Sequence, residues 1–489
     1  MMRLWHSGFL LVVGLGLAWA LTPACDHARD LLDFPFGSDH GEGLVWGLQQ
    51  QWHDGRPLFS ALDEKPWLVC NYPPVYLVVA DLAATQVGSP LAAGRWVSLV
   101  AAIWSALMLC LAVVLIARSR PWEQRLLAGL VAGLVFLNNP EVVYWGTIMR
   151  IDMLALAFSL TGLVLLLAGS SRPRAVFWCL PFFLLAAWTK PTMVLAALGG
   201  FGALFFSQPR RALTLAMVWA TSGLAILAVL VWATDGRAWT HLVTANANAW
   251  YQGLLWHYYG LVATRDTVVV ASLFVALVWT AIALRRRPVF ELRAFFAFGL
   301  LAIIASPMVG RTGSNTNYLL EALTAGVLGL GILLAHLDLR RRWAWALGLI
   351  VIVTSLWALP GGLRLPAADH DYWNFGLPLR RQVGEMIVGE LRKTEGEILS
   401  EDMALLPSLG RPLNYHPFVM AQLAERGVWD PRPLVRQIEA GGFAIIILGF
   451  DAVSPPVHQL MHPPELVTAT AAHYRNAYFF GGLYFHVPR

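Results

Sequence analysis

Apolar runs about as long as a bilayer is thick recur along most of the chain, separated by short polar segments rich in arginine. A helix crossing a bilayer needs roughly 17–25 mainly apolar residues. The first run, residues 9–21, follows Arg3; Thr22-Pro23-Ala24-Cys25 fits a cleavage box poorly, so the run reads as a first transmembrane helix rather than a signal peptide. Either reading puts the polar stretch 26–72 outside. Residues 73–88 are apolar but short and interrupted by Asp81, which predicts a juxtamembrane segment. Spanning helices are expected at 94–117, 126–144, 153–169, 175–189, 192–207, 212–233, 267–284, 291–309, 318–336 and 343–360, about eleven with the first.

The arginine clusters test this count. Arg118, Arg120 and Arg125, then Arg172 and Arg174, Arg210 and Arg211, Arg285 to Arg287, and Arg340 to Arg342 all fall on one side if the N-terminus is cytoplasmic. Cytoplasmic loops carry such an excess of Lys and Arg. Counting 73–88 as a span would move the first cluster outside and break the pattern. The other face receives 26–93, the loop near 145–152, Lys190, the loops 234–266 and 310–317, and everything after about 361. That last region alternates helical patterns (379–392, 433–440, 465–476) with strand-like runs (397–400, 443–448, 478–486), which predicts a small extracytoplasmic α/β domain. The expected division is a transmembrane domain over 1–360, with the outer loop 26–93, and the outer domain over 361–489.

Composition sharpens the class. Hydrophobic residues make up 57% and charged residues 13%, and mean hydropathy is +0.58. Soluble domains carry roughly 25% charged residues, and disordered chains are polar, so both classes are excluded. A net charge of +5 and a pI near 9.1 come from the loop arginines. They report topology and the lipid bilayer as partner, not nucleic acid. Of four cysteines, Cys110 and Cys179 lie in apolar runs, while Cys25 and Cys70 flank the outer segment and would permit a disulfide there. No CxxC or Cys/His zinc spacing occurs. Gly326, Gly329 and Gly331 loosely resemble a dinucleotide fingerprint, but they sit in an apolar span where helix packing explains them better.

Charges at bilayer depth are costly and therefore point to function. Four constellations gather on the outer face. Ser38-Asp39-His40-Gly41-Glu42-Gly43 sets two carboxylates three residues apart, one face of a short helix, suited to a general base or a divalent metal; a solvated turn with an Asp cap is the plain alternative. Arg150-Ile151-Asp152 offers a guanidinium fork for phosphate, or a simple ion pair. Lys190, before Pro191, aims a cation at the interface or only snorkels there. Arg311 to Glu321 joins a cation, amides, Tyr318 and an acid. Trp250, Tyr251, Trp256, His257, Tyr258 and Tyr259 would stack on a sugar or, more simply, form an interfacial belt.

In order and context these motifs resemble the GT-C superfamily of integral-membrane glycosyltransferases, the branch of aminoarabinose transferases and protein O-mannosyltransferases. The acidic motif Asp39-His-Gly-Glu42 follows the first helix. Gly55-Arg-Pro-Leu-Phe59, Asn71-Tyr72-Pro-Pro-Val-Tyr76, Arg150-Ile-Asp152, Thr189-Lys190-Pro and Asn317-Tyr318-Leu-Leu-Glu321 come after it, so the resemblance covers about 35–360. It implies transfer of a sugar from a polyprenyl-phosphate donor to an extracytoplasmic acceptor (lipid, glycan or protein), with inversion, by a multi-pass protein of a bacterial inner membrane whose site and C-terminal domain face the periplasm or exterior. The catalytic acid would be Asp39 or Glu42, since the family pattern has adjacent acids and here two residues intervene. Asp152 would be the second acid. Arg150, Lys190 and Arg311 would hold the donor phosphate, and Tyr72, Tyr318 and Glu321 would contact substrate. The resemblance carries over no metal ligand, and a need for divalent metal stays open. The reading from another class is a transporter or flippase of an anionic lipid, against which stand the clustering of charge at one face and the sizeable outer domain.

Overall fold

The computed structural model describes residues 2–172, 174–337, 350, 376–457 and 461–489. The membrane region is helical: α1 (Met2–Ala20), α2 (Thr22–Leu32), α3 (His40–His53), α4 (Val75–Val87), α5 (Pro90–Ile116), α6 (Trp122–Leu137), α7 (Pro140–Thr147), α8 (Asp152–Gly169), α9 (Cys179–Thr189), α10 (Leu195–Phe205), α11 (Pro209–Ala233), α12 (Arg237–Leu242), α13 (Gln252–Arg265), α14 (Thr267–Arg286), α15 (Phe290–Ala305) and α16 (Leu320–His336). The C-terminal region holds α17 (Leu377–Leu391), β1 (Ile398–Ser400), α18 (Leu405–Ser408), α19 (Pro417–Glu425), α20 (Arg432–Glu439), β2 (Ile445–Leu448), α21 (Pro464–His473), β3 (Tyr474–Phe480) and β4 (Leu483–Pro488).

Local chemistry sets the boundaries. α5 starts where the Ser89 hydroxyl accepts from the Ala92 amide and Pro90 takes the first helical turn; its 27 residues then run without a break. The expected span 126–144 is instead two helices bent by 65°. Asn139 caps the second of them, accepting from the Glu141 and Val142 amides, and Pro140 cannot continue the first helix. A hydropathy window reads straight across such a bend.

Among the described residues seven helical segments are long and apolar enough to cross a membrane, or eight if the bent α6–α7 pair is one span. The count of about eleven is not confirmed: 175–189 and 192–207 form shorter apolar helices, and the expected span 343–360 lies, apart from Ile350, outside the described residues. α4, with 13 residues, is too short to cross. Gly326, Gly329 and Gly331 press α16 against Val269, Ala276 and Val113, as expected of packing glycines.

The C-terminal strands form one sheet in the order β1-β2-β4-β3, with β1 and β2 parallel and the other pairs antiparallel. The outer loop joins this region directly. The Trp67 amide donates to Asn414 O (3.0 Å) and the His416 amide to Trp67 O (2.9 Å). Trp67 and Val69 lie in one apolar cluster with Tyr415, Leu423 and Phe443. α3 also leans on the C-terminal region: a Cβ on Gly43 would sit 2.4 Å from Ala404 N, so only glycine allows this approach. Cys25 is exposed, Cys70 is buried, and both are free, so the outer segment is not cross-linked through them.

Candidate functional site

Asp39 is the N-cap of α3, in extended backbone just before the first turn. Its Oδ1 accepts from the Gly41 amide (2.8 Å), and its Oδ2 accepts from the Tyr144 hydroxyl (3.0 Å). Arg150 Nη1 stands 3.6 Å from Oδ1. A Cβ on Gly41 would overlap the Arg150 guanidinium, so the glycine at this position makes room for the cation. The Asp39 side chain keeps 19% of its surface open.

Glu42, one turn on, is fully buried. Arg95 meets it in a two-pronged pair (Nε–Oε1 and Nη2–Oε2, both 2.8 Å). The Ser38 amide and hydroxyl donate to Oε2 (2.8 Å each), and the Met149 amide donates to Oε1 (2.7 Å). Burial pushes the Glu42 carboxyl up, but the Arg95 charge and these donors override it and hold the group below the usual carboxylate range. The other Arg95 donors reach the carbonyls of Leu31, Phe34 and Phe36. The pair thus ties α2, α3, α5 and the segment before α8 together.

Asp152 opens α8 and is fully buried. Its Oδ1 accepts from Lys190 Nζ (2.6 Å) and Asn317 Nδ2 (2.9 Å). Lys190 ends α9 in extended backbone, the conformation that the following Pro191 favours, and its ammonium lies 4.8 Å from the centre of the Tyr318 ring. Arg150 Nη2 donates to the Tyr72 hydroxyl (3.3 Å), and its guanidinium rests over the rings of Trp145 (5.5 Å) and Tyr72 (5.9 Å). Arg150 Nε faces Asp152 Oδ2 at 3.8 Å, beyond hydrogen-bond reach. Glu321 is buried beside Lys190 and the amides of Leu195 and Ala196 that open α10.

Asn317 Oδ1 and Glu321 Oε1 are buried without a hydrogen-bond partner, while Arg150 Nε and Asp152 Oδ2 are held only by the longer ion pair between them. Arg311 lies farther out, in a turn bridged to Trp250, within range of Tyr318. The aromatic loop does not join the carboxylates: Trp250 donates to Pro307 O and Tyr258 to Ser314 O, while Tyr251 and Trp256 are exposed. Among the described residues no group of three or more His, Cys, Asp and Glu side chains gathers around one point.

The structure therefore brings Asp39, Tyr72, Arg150, Asp152, Lys190 and Tyr318 into one connected cluster, with Glu42 behind it, Glu321 beside Lys190 and Arg311 at the rim. Sequence reasoning missed Arg95, although a lone arginine inside an apolar run was a visible signal. It also missed the direct bond from Tyr144 to Asp39, which nothing in the local pattern announces.

No family model matches the chain, and no curated protein matches it in sequence. Solved structures do match. ArnT from Cupriavidus metallidurans in the apo state superposes with a TM-score of 0.62 at 13% identity, covering 96% of this chain and 97% of that one. The same protein bound to undecaprenyl phosphate gives 0.60 with the same coverage. The archaeal oligosaccharyltransferase AglB from Archaeoglobus fulgidus, in complex with an inhibitory peptide and a dolichol-phosphate, gives 0.55 at 10% identity over 91% of this chain and 69% of that one. Over nearly its whole length, then, this chain has the fold shared by the GT-C superfamily members ArnT and AglB.

Proposed function

We propose that the protein is a glycosyltransferase that moves a sugar from a polyprenyl-phosphate donor to an extracytoplasmic acceptor. In this reading residues 1–360 are the transmembrane domain that carries the reaction, and 361–489 are an extracytoplasmic domain. The observation that carries this reading is the cluster around Arg150: its guanidinium faces the partly open Asp39 carboxylate on one side and the buried Asp152–Lys190 pair on the other. The undecaprenyl phosphate on ArnT and the dolichol-phosphate on AglB agree with it.

In this mechanism Asp39 accepts the proton of the acceptor hydroxyl or amine as that atom attacks the anomeric carbon. The bond from that carbon to the phosphate oxygen breaks, and polyprenyl phosphate leaves with the electron pair. Negative charge grows on the leaving phosphate, and Arg150 and Lys190 stabilise it best at that moment, with Arg311 at the entrance. Attack opposite the leaving group inverts the anomeric centre. Asp152 holds Lys190 and Arg150 in place. Glu42 is committed to Arg95 and three further donors, which supports Asp39 as the base. The test is purified protein incubated with a panel of labelled polyprenyl-phosphate sugars. Sugar released or transferred from one of them is expected. Labelled lipid that crosses a bilayer with its sugar still attached would instead favour transport.

A further inference from the structure

A cleft of about 370 Å³, with charged and polar side chains among a largely apolar lining, opens at the opposite end of the helix that carries Asp39. Gln49, His53 and Arg56 line it from α3 and the turn after it, Asp81 and Thr85 from α4, and Arg411 from the C-terminal region. The volume lies in the range of about 300–1,000 Å³ that small-molecule sites occupy. None of these side chains takes part in the cluster around Arg150, and a helix of 14 residues sets the two places roughly 20 Å apart along its axis.

The wall is built rather than incidental. Asp81 Oδ1 accepts from Gln49 Nε2 (2.8 Å) and is bonded to His53 Nδ1 (2.9 Å). Gln49 is buried behind Asp81, with its amide nitrogen committed to that carboxylate. Arg56 pairs with Asp54 (2.7 Å), and Arg411 is fixed by the carbonyls of Gly396 (3.0 Å) and Thr394 (2.6 Å).

Charge selects the ligand. Two guanidiniums are balanced by two carboxylates, so a phosphate entering the cleft meets Asp54 and Asp81, and an ammonium meets Arg56 and Arg411. A neutral polyhydroxyl compound meets no such opposition, because each hydroxyl both donates and accepts. We infer that this cleft is a binding site for a neutral sugar residue. Assigning that sugar to a glycan-bearing acceptor, held at its far end while its other end reaches Asp39, rests on the glycosyl-transfer reading above; the binding site itself does not.

The test uses the full chain in lipid nanodiscs. Saturation-transfer NMR with glucose, galactose and N-acetylglucosamine, each offered alone, should detect at least one of them. Asp81→Asn removes the carboxylate, and Thr85→Trp fills the mouth from an exposed position without touching a buried group. Each should weaken binding about tenfold or more, the loss expected when one or two well-made hydrogen bonds go. Inorganic phosphate and ethanolamine should not compete. No sugar signal from the parent, equal signals from parent and both variants, or displacement by phosphate or ethanolamine each overturns the proposal. Donor hydrolysis to water is read separately and should be unchanged in Thr85→Trp. A glycan acceptor should then show a raised KM with little change in kcat. Absence of donor hydrolysis from the parent would defeat the transfer reading while leaving the sugar-binding result intact, so the two failures are told apart.

Discussion

At the scale of single residues, the two acids of the first outer motif have unlike surroundings. Asp39 is partly open and holds a hydroxyl, an amide and a guanidinium; Glu42 is closed and saturated. Asp39→Asn should therefore lower turnover by roughly 10²–10⁴-fold while the protein is still recovered folded, as measured by sugar transfer per mole of monodisperse protein. Glu42→Gln should act differently. It leaves the Arg95 charge buried and uncompensated, a change that typically costs about 3–5 kcal/mol, so the loss should appear as a lowered Tm and yield. A folded Glu42→Gln protein with normal Tm and no turnover would move the base to Glu42. Lys190→Ala removes a cation from the proposed phosphate site and strips Asp152 of its closest partner, so donor Kd should rise steeply, whereas Arg150→Ala should lower kcat as well because the guanidinium also faces Asp39. Titration of labelled donor against each variant separates the two effects. Most of these residues were legible in the sequence because charges gathered in the short segments at the outer ends of apolar runs are conspicuous. The roles of Asp39 and Glu42 could not be told apart there, because the partner that distinguishes them, Arg95, is 53 residues from Glu42 in the chain.

At the scale of elements, the outer loop is tied down by histidines that must stay neutral. His241 Nδ1 accepts from the Cys70 amide (3.0 Å), its other ring nitrogen bonds Ser60 O (2.9 Å), and His416 bonds Val69 O (3.3 Å). Burial pushes the His416 pKa down to about 4. The folded protein therefore binds this proton less readily than the unfolded chain, whose histidine titrates near 6.5. Stability from this source is full above about pH 6.5 and falls as pH drops toward 4, by roughly 3 kcal/mol at the end of that window. Thermal unfolding should show the parent losing more stability between neutral pH and pH 4.5 than His416→Gln; equal losses would clear His416. This arrangement was not legible in the sequence, because a polar loop with scattered histidines reads as solvated until its partner fold is present. The bend between α6 and α7 escaped for a similar reason. Asn138, Asn139 and Pro140 were the signal, and the surrounding hydropathy concealed them.

At the scale of the whole molecule, one orientation has to serve every step of the proposed mechanism. Asp39, Arg150, Asp152 and Lys190 form one cluster. The loop that carries Tyr72 runs through Trp67 and Val69, which share an apolar core with the C-terminal region. A chain so connected cannot place residues 376–489 on the face opposite to the cluster. The arginine clusters at 118–125, 210–211 and 285–287 lie at the other ends of the apolar helices, where Lys and Arg mark the cytoplasmic side. A reporter that is active only in the cytoplasm should therefore be silent when fused after Arg489, and one active only outside should report. The same fusion carrying Gly43→Val, which drives a branched side chain into the Ala404 backbone, should keep this orientation but lose sugar transfer, because the α3 helix that presents Asp39 is displaced. Cytoplasmic activity after Arg489 would put the C-terminal region and the whole cluster on the inner face, and with them the donor phosphate; the acceptor would then have to be cytoplasmic, and the extracytoplasmic reaction would fall.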